Sequence, residues 1–167
     1  RPDSMLGVPG LLEAYRAGGG YALLRQCHGG QRSAESLIAT LEDAGLRGLG
    51  GAGFPAGRKW RIVRSMPAPR LMAVNADEGE PGTFKDRWIL ENAPHLLLES
   101  MLISAFALQV RHAFVYIRGE FDLPYRRLAA AVEEAYAAGY FGERILGTDF
   151  ACDLVVYRGA GSYVCGE

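Results

Sequence analysis

Three carboxylates lie close together in the segment Asn75–Phe84, at Asp77, Glu78 and Glu80. Carboxylates placed in this way accept hydrogen bonds from ribose hydroxyls, from a carboxamide or from the N–H groups of a heterocyclic ring, and they also bind hard metal ions. The alternative is a solvated acidic turn that caps the next helix, with the charged residues Lys85–Arg87 pairing with these acids at the surface. The residue types alone leave both interpretations open.

A second segment, Gly45–Gly57, is rich in glycine, and its run Gly48–Gly53 fits the pattern GxGxxG. Glycines allow backbone N–H groups to approach an anion without obstruction by side chains. The run departs from the dinucleotide-binding fingerprint because a helix, not a strand, is predicted before it. Pro55 and Gly57 also argue against a long helix directly after it. On spacing alone, a mobile connection remains the alternative.

Positive charge brackets this glycine-rich run, at Arg47, Arg58, Lys59 and Arg61. Backbone N–H groups together with cationic side chains are what a phosphate monoester requires, and we therefore predict a phosphate site here. Phe54 and Trp60 flank the run. Each either stacks on a flat heterocycle or packs in the core, and core packing is the commoner outcome for such aromatic residues.

The cysteines and histidines point to no catalytic group. Three widely spaced cysteines fit neither a disulfide framework nor a metal-binding spacing, and they favour a reducing, cytoplasmic setting: Cys27, Cys152 and Cys165. Cys165 lies with Tyr163 in a second glycine-rich loop, Gly159–Gly166, but no histidine is placed to activate it. The scattered histidines are interpreted as structural: His28, His95 and His112.

The elements that position these residues alternate between helix and strand. Short helices are predicted at 11–15 and 21–24, and a helix over 33–44 begins with Ser33 as its N-cap and stops at Gly45. Strands are predicted at 71–74, 113–117 and 153–157, and helices at 94–110 and 123–138. Strands joined by helical connections of this length form a parallel α/β sheet.

Polar or glycine-rich loops follow the three predicted strands, at Asn75–Glu80, Arg118–Glu120 and Arg158–Glu167. Ligands of parallel sheets collect at the carboxyl ends of the strands. The sequence therefore predicts that these loops meet at one edge of the sheet.

Composition and charge exclude several classes of protein. The 167 residues are 49% hydrophobic and 22% charged, as in ordinary globular domains. With 18 Lys and Arg against 19 Asp and Glu, no overall field favours nucleic acid or a membrane surface. The longest apolar stretch, Leu96–Val110, contains polar residues and is shorter than the roughly 20 residues that span a bilayer. It predicts a buried helix and no membrane insertion.

Three segments carry a family resemblance: RGLGGAGFPAGRKW at Arg47–Trp60, NADEGEPGTFKDR at Asn75–Arg87 and GAGSYVCGE at Gly159–Glu167. In this order they resemble the flavoprotein subunit of respiratory complex I and its relatives in soluble NAD-dependent formate dehydrogenases and NAD-reducing hydrogenases. The resemblance implies a Rossmann-like parallel sheet with helices on both faces, preceded by short helices and a glycine-rich loop. It divides the chain into an N-terminal helical segment, 1–44, and an FMN- and NADH-binding domain, 45–167, incomplete at its C-terminal end.

The resemblance also assigns roles at matching positions. Glu80 would hold the nicotinamide, Phe54 would stack on the adenine of NADH and Tyr163 would lie near the flavin, so Glu80 and Tyr163 are the catalytic candidates. No metal site is implied within the chain, because the four-iron cluster of the family belongs to a region beyond Glu167. The implied FMN contacts are Gly48, Gly50, Gly51, Ala52, Lys59, Asn75, Asp77, Glu78, Gly166 and Glu167.

The implied function is exchange of a hydride between NAD(H) and FMN, with electrons passed to or from the iron–sulfur clusters of a multisubunit complex. Its partners would be a ferredoxin-like iron–sulfur subunit and a catalytic subunit. Two alternatives are a nucleotide-binding regulatory module without electron transfer and a flavin-free enzyme that acts on a phosphorylated metabolite.

The chain departs from the complex I pattern at three positions. Leu49 stands where those members usually carry arginine, Gly79 where many have serine, and Ile62 where an aromatic residue helps to hold the adenine. Leu49 and the sequence EGEPGTFKDR favour a relative of the formate dehydrogenase or hydrogenase type.

Overall fold

A parallel three-stranded sheet forms the centre of the fold. The computed structural model describes residues 11–49 and 51–166. Strands β1 (Leu71–Ala76), β2 (His112–Ile117) and β3 (Asp153–Arg158) lie side by side in the order β1-β2-β3, and both pairings are parallel. The strands, their order in the chain and the Rossmann-like α/β class predicted from the sequence are confirmed.

Helices connect the strands and precede them. In the described residues they are α1 (Leu11–Ala17), α2 (Ala22–His28), α3 (Ala34–Asp43), α4 (Ala56–Ser65), α5 (Lys85–Asn92), α6 (Pro94–Leu108) and α7 (Asp122–Ala137). Short 3₁₀ turns follow at Ile145–Gly147 and Tyr163–Gly166. The Ser33 prediction is confirmed, because its hydroxyl accepts a hydrogen bond from the Ser36 backbone N–H at the start of α3.

The two faces of the sheet differ in burial. Ala113, Val115 and Ile117 of β2 point into the main core. On the opposite face Phe114 and Val155 are exposed, as expected from the two-residue period of strand side chains. The main core also takes residues from five helices, including α1 and α2: Leu12, Leu24, Leu90, Leu102 and Leu128. The N-terminal helices therefore share the core of the sheet.

Helix α4 corrects the expectation that Pro55 and Gly57 disfavour a helix after the glycine-rich run. Pro55, with φ −61°, occupies the N-cap position, where its lack of an N–H costs nothing. Gly57 is buried against α3, and a Cβ atom there would lie 2.7 Å from the Glu42 backbone nitrogen. Gly57 therefore permits close packing of α3 on α4; it does not end a helix.

Helix α5 was not predicted from the sequence. Its N-cap residue, Phe84, makes no side-chain hydrogen bond to the first turn, so no local capping signal marks the start. Helix α6 begins with Pro94 at its N-terminus, as predicted. Within the described ranges, no helix has the length and apolar character needed to cross a bilayer.

Candidate functional site

The loops that follow the three strands meet at the carboxyl edge of the sheet. The Asn75 side-chain amide donates to the Gly166 carbonyl at 2.9 Å. The Arg118 guanidinium donates to the Glu78 carbonyl at 2.9 Å, and that of Arg158 donates to the Gly119 carbonyl at 3.0 Å. Each loop is thus tied to another, and the predicted meeting of the loops is confirmed.

A cavity of about 440 Å³ opens between these loops. Its volume falls in the range of roughly 300–1,000 Å³ that is usual for ligand pockets. The sequence nominated six of its lining residues: Asn75, Asp77, Glu78, Glu80, Tyr163 and Gly166. The remaining lining residues are Leu49, Gly79, Thr83, Lys85 and Asp86. Two nominated residues, Gly50 and Glu167, lie outside the described residues.

Glu78 holds the cavity wall and the start of α5 together. Its carboxylate is buried and accepts hydrogen bonds from the backbone N–H groups of Asp86, at 3.0 Å, and Arg87, at 3.1 Å. These are first-turn amides of α5, which lack partners within the helix. A carboxylate has about four acceptor positions, so Glu78 retains capacity toward the cavity.

Asp77 and Asn75 form the inner part of the acidic loop. Asp77 is buried, and its backbone N–H donates to the Asn75 side-chain oxygen at 2.9 Å. This bond fixes the orientation of the Asn75 amide, whose NH₂ group is held by Gly166. The loop is therefore ordered by its own polar groups before any ligand contributes.

Glu80 and Tyr163 stand on the exposed side of the cavity. The Tyr163 hydroxyl donates a hydrogen bond to a carboxylate oxygen of Glu80, and the tyrosine side chain is 58% exposed. The Tyr163 ring also lies beside Gly79, where a Cβ atom would be 3.4 Å from the ring. A ligand that enters from solvent meets this pair first.

Two of the lining residues that the sequence did not nominate, Lys85 and Asp86, come from the start of α5. Lys85 was expected to pair with the acids of the preceding loop, but its closest carboxylate is that of Asp86, at 2.7 Å. Lys85 also lies 3.9 Å from the Glu78 carboxylate, and its hydrogen bond with Asp86 raises its pKa. No local pattern locates them, because they follow Glu78 by seven and eight residues through a non-helical loop whose folding brings them to the cavity.

The segments on either side of the glycine-rich run pair in antiparallel fashion. The Gly48 N–H donates to the Phe54 carbonyl at 2.9 Å, and the Ala56 N–H donates to the Leu46 carbonyl at 2.8 Å. Gly51 has φ 92°, a conformation that favours glycine. Leu49, at the tip, lines the cavity, whereas Gly48, Gly51 and Ala52 do not.

The four cations that bracket the loop have different partners. Arg61 is bound by the carboxylates of Glu35 and Glu42, at 2.8 and 2.6 Å, and this contact lowers the pKa of Glu42. The remaining three stay near the loop. The Arg47 guanidinium donates to the Gly53 carbonyl at 3.0 Å, and that of Arg58 lies over the Phe54 ring. Lys59 has no carboxylate partner among residues 11–49 and 51–166.

The two flanking aromatic residues have different environments. Phe54 is 43% exposed beside the loop, and its side chain remains accessible to a ligand. Trp60 is partly buried and packs against both hydrophobic clusters of the core. The core interpretation therefore holds for Trp60, whereas Phe54 stays a candidate for stacking.

A second buried carboxylate, Glu99, lies in α6 and supports the N-terminal helices. It accepts hydrogen bonds from the Tyr15 hydroxyl at 2.6 Å and from the Tyr21 backbone N–H at 2.8 Å, at the start of α2. The neighbouring His95 is 1% exposed and contacts Tyr21 and Glu134, each at 2.9 Å. This network supports the N-terminal helices, in agreement with the interpretation of His95 as a structural residue. Among the described residues, no group of His, Cys, Asp and Glu side chains could hold a metal ion.

Comparisons with known proteins agree on one family. A family model described as the Nuo51 FMN-binding domain matches residues 41–167. An NADH-quinone oxidoreductase subunit of Rhizobium meliloti (strain 1021) is 47% identical over 158 residues, which cover 94% of this chain and 37% of the relative. The corresponding protein of Aquifex aeolicus (strain VF5) is 46% identical over 93% of this chain and 36% of the relative.

A similar fold occurs in a crystal structure of an NAD⁺-reducing [NiFe]-hydrogenase in the H₂-reduced state. The match has a TM-score of 0.68 and 39% sequence identity, and it covers 81% of this chain and 22% of that chain. The chain thus spans little more than a third of the length of the curated relatives described above.

Proposed function

This chain belongs to the Nuo51 FMN-binding domain family, and we propose that the protein containing it binds FMN and NAD(H) and exchanges a hydride between them. The observation that carries the proposal is the cavity at the carboxyl edge of the sheet, where Asn75, Asp77, Glu78 and Glu80 converge. When bound, FMN supplies the group that accepts a hydride and passes its electrons on singly.

The phosphate of FMN fits the N-terminus of α4 and the glycine-rich loop. Pro55 provides no side-chain cap, and the first turn of α4 contains no acidic residue. Although the Ala56 N–H is bound by the Leu46 carbonyl, the positive end of the helix and the next two N–H groups suit an anion. Lys59 adds positive charge in the same turn. We assign Gly48, Gly50, Gly51 and Ala52 to the wrapping of this phosphate and the adjoining chain.

The acidic loop suits the remaining polar groups of the flavin. Asn75 supplies both a donor and an acceptor, and carboxylates such as Asp77 and Glu78 accept hydrogen bonds from ribityl hydroxyls or ring N–H groups. Gly166 lies against this loop, since a Cβ atom there would be 2.4 Å from the Asp77 carbonyl oxygen. Only glycine therefore fits at position 166, and we place Gly166 and Glu167 at the closing side of the flavin site.

Glu80 and Tyr163 are assigned to the nicotinamide end of NAD(H). The hydrogen bond from Tyr163 holds the Glu80 carboxylate at the exposed side of the cavity, where it can accept hydrogen bonds from a carboxamide. Phe54 is assigned to the adenine end, because its exposed ring suits stacking on a heterocycle. The residues of the chain thus orient both nucleotides and exclude water from the contact between them.

We infer that the electrons pass to or from iron–sulfur clusters of a multisubunit complex in the cytoplasm. The four-iron cluster is expected in a region outside these 167 residues, and the expected partners are a ferredoxin-like iron–sulfur subunit and a catalytic subunit. Leu49, which lines the cavity where complex I members usually carry arginine, supports a parent of the formate dehydrogenase or hydrogenase type. Formate- or hydrogen-dependent reduction of NAD⁺ by the purified complex tests this assignment.

The test of the function is the visible spectrum of the full-length protein, purified with its partners, before and after anaerobic addition of NADH. A released cofactor with the mass of FMN, whose absorbance bleaches on addition of NADH, is the expected result. Flavin that binds but does not bleach would favour the regulatory module. A colourless protein that also refuses added FMN would refute the flavin site.

A further inference from the structure

We infer that Arg58 recognises a phosphate on the adenosine ribose of the nucleotide, so that the site accepts NADPH in addition to NADH. The inference rests on the proposed function, because it concerns the adenine end of the same site. It starts from the placement of Arg58 in the first turn of α4, with its guanidinium carbon 5.7 Å from the centre of the Phe54 ring.

Phe54 and Arg58 together present the two chemical groups that a phosphorylated adenosine needs. The ring of Phe54 is 43% exposed and offers a flat apolar surface to a purine. The guanidinium of arginine is planar and permanently charged, and it binds phosphate oxygens through paired N–H donors. A ribose phosphate carries a charge of about −1.5 to −2 near neutral pH, whereas the hydroxyl at the same position in NADH carries none.

The neighbouring arginines are engaged elsewhere, which leaves Arg58 as the candidate on α4. Arg61 is held by Glu35 and Glu42. The Arg64 guanidinium donates to the Ala107 carbonyl at the end of α6. Arg58, by contrast, is exposed, lies over the Phe54 ring and has no carboxylate partner within the described residues.

The local charge also favours an anion beside Arg58. Arg58 and Lys59 both lie in the first turn of α4, where the helix dipole is positive and where no acidic side chain offsets them. Cations are unfavourable at this end of a helix. The carboxylates of Glu35 and Glu42 on α3 both pair with Arg61 and not with Arg58. The FMN phosphate is assigned to Lys59 and the glycine-rich loop. A phosphate on the adenosine ribose would be a second anion, and it would contact Arg58.

The experiment compares Arg58→Gln with the unaltered full-length flavoprotein, using kcat/KM for NADPH and for NADH under the same conditions. Loss of one charge-assisted contact predicts a fall of about tenfold to a hundredfold in kcat/KM for NADPH, with a change of less than about threefold for NADH. The competitive inhibition constants of 2′-phospho-ADP-ribose and ADP-ribose provide the same comparison without redox chemistry, and only the first should weaken.

Arg61→Gln is the matched control, because it removes one positive charge from the same helix at a residue that faces Glu35 and Glu42. It should leave the NADPH to NADH ratio unchanged. The inference would be overturned if the unaltered protein did not oxidise NADPH, or if Arg58→Gln lost kcat/KM equally with both nucleotides. It would also be overturned if Arg61→Gln had the same effect as Arg58→Gln, or if Arg58→Gln lost FMN. Retention of FMN and of its bleaching by NADH in all variants would leave the proposed function intact, so the two failures are distinguishable.

Discussion

The replacement Glu78→Ala separates a structural role of the acidic loop from its ligand-binding role. In the folded chain the Glu78 carboxylate, with its side chain 4% exposed, caps α5 by accepting hydrogen bonds from Asp86 and Arg87. Alanine would leave both backbone N–H groups without that acceptor. Because Phe84 offers no substitute cap, we expect α5 to open more often than the rest of the domain.

The size of the effect follows from the two bonds. A hydrogen bond to a charged group contributes about 1.5–3 kcal/mol, and loss of an N-cap costs about 0.5–2 kcal/mol. Water reaches the exposed side of α5 and compensates part of the loss, so we expect a cost of about 2–4 kcal/mol. At about 1.4 kcal/mol per factor of ten, the opening constant of α5 would rise roughly 30-fold to 700-fold.

Amide hydrogen exchange of the full-length protein measures this opening directly. Peptides that cover 85–92 should exchange faster in Glu78→Ala, with and without FMN, whereas peptides from the centre of α6 should not. Glu78→Gln keeps one acceptor oxygen and should give a smaller increase. Glu80→Gln is the control, because Glu80 lies in the same loop and caps no helix. Unchanged exchange in 85–92, together with loss of FMN, would show that Glu78 is a ligand contact only and would refute the capping argument.

Three further predictions concern other parts of the molecule. Glu80→Gln should raise KM for NADH about tenfold, since it removes a charged hydrogen-bond acceptor. Fluorescence titration should show that FMN is still bound, and loss of the flavin would mean that the role of Glu80 is wrongly assigned. Arg70→Met should cost about 2–3 kcal/mol, because its guanidinium donates to the Met66 and Leu108 carbonyls at the ends of α4 and α6. Faster amide exchange in peptides at both helix ends checks this, and a change at one end alone contradicts it. Burial raises the pKa of Cys152 from 9.0 to about 11. The neutral thiol therefore contributes fully to the free energy of unfolding below pH 9, and up to about 3 kcal/mol of this contribution is lost as the pH rises toward 11. A denaturation midpoint that falls as steeply with pH in Cys152→Ala as in the parent protein would contradict this prediction.

Helices α3 and α6 begin at signals in the local sequence, whereas α5 and α2 are capped by residues of other elements. The apolar run Tyr21–Leu24 was nevertheless sufficient to predict α2. Ser33 begins α3 through a side chain three residues from its partner, and Pro94 begins α6 through its own fixed φ. Helix α5 takes its cap from Glu78, which belongs to the loop after β1. Helix α2 takes its first-turn acceptor from Glu99, which lies 78 residues from Tyr21. Neither contact follows from a local capping pattern, because Glu78 lies eight residues before Asp86 and Glu99 lies 78 residues after Tyr21.

The candidate site was also predictable from the sequence only in part. Apolar runs such as Leu71–Val74, followed by polar loops, were sufficient to predict parallel strands and one shared edge, because strand order and connection length restrict the topology. The partners of the cations near the glycines were not predictable. Arg61 and Arg58 are three residues apart on one helix, yet packing of α3 on α4 gives Arg61 two carboxylates and leaves Arg58 beside Phe54.

The sequence by itself determined the strands, most of the helices, the family and the acidic residues that line the cavity, because these depend on periodicity and on motifs of adjacent residues. Only the tertiary structure decided that Gly57 is a packing position, that Glu78 and Glu99 cap helices, and that Leu49 reaches the cavity. The physical reason is that burial and hydrogen bonding depend on which segments meet in space, and in each case the partner belongs to a different element or loop.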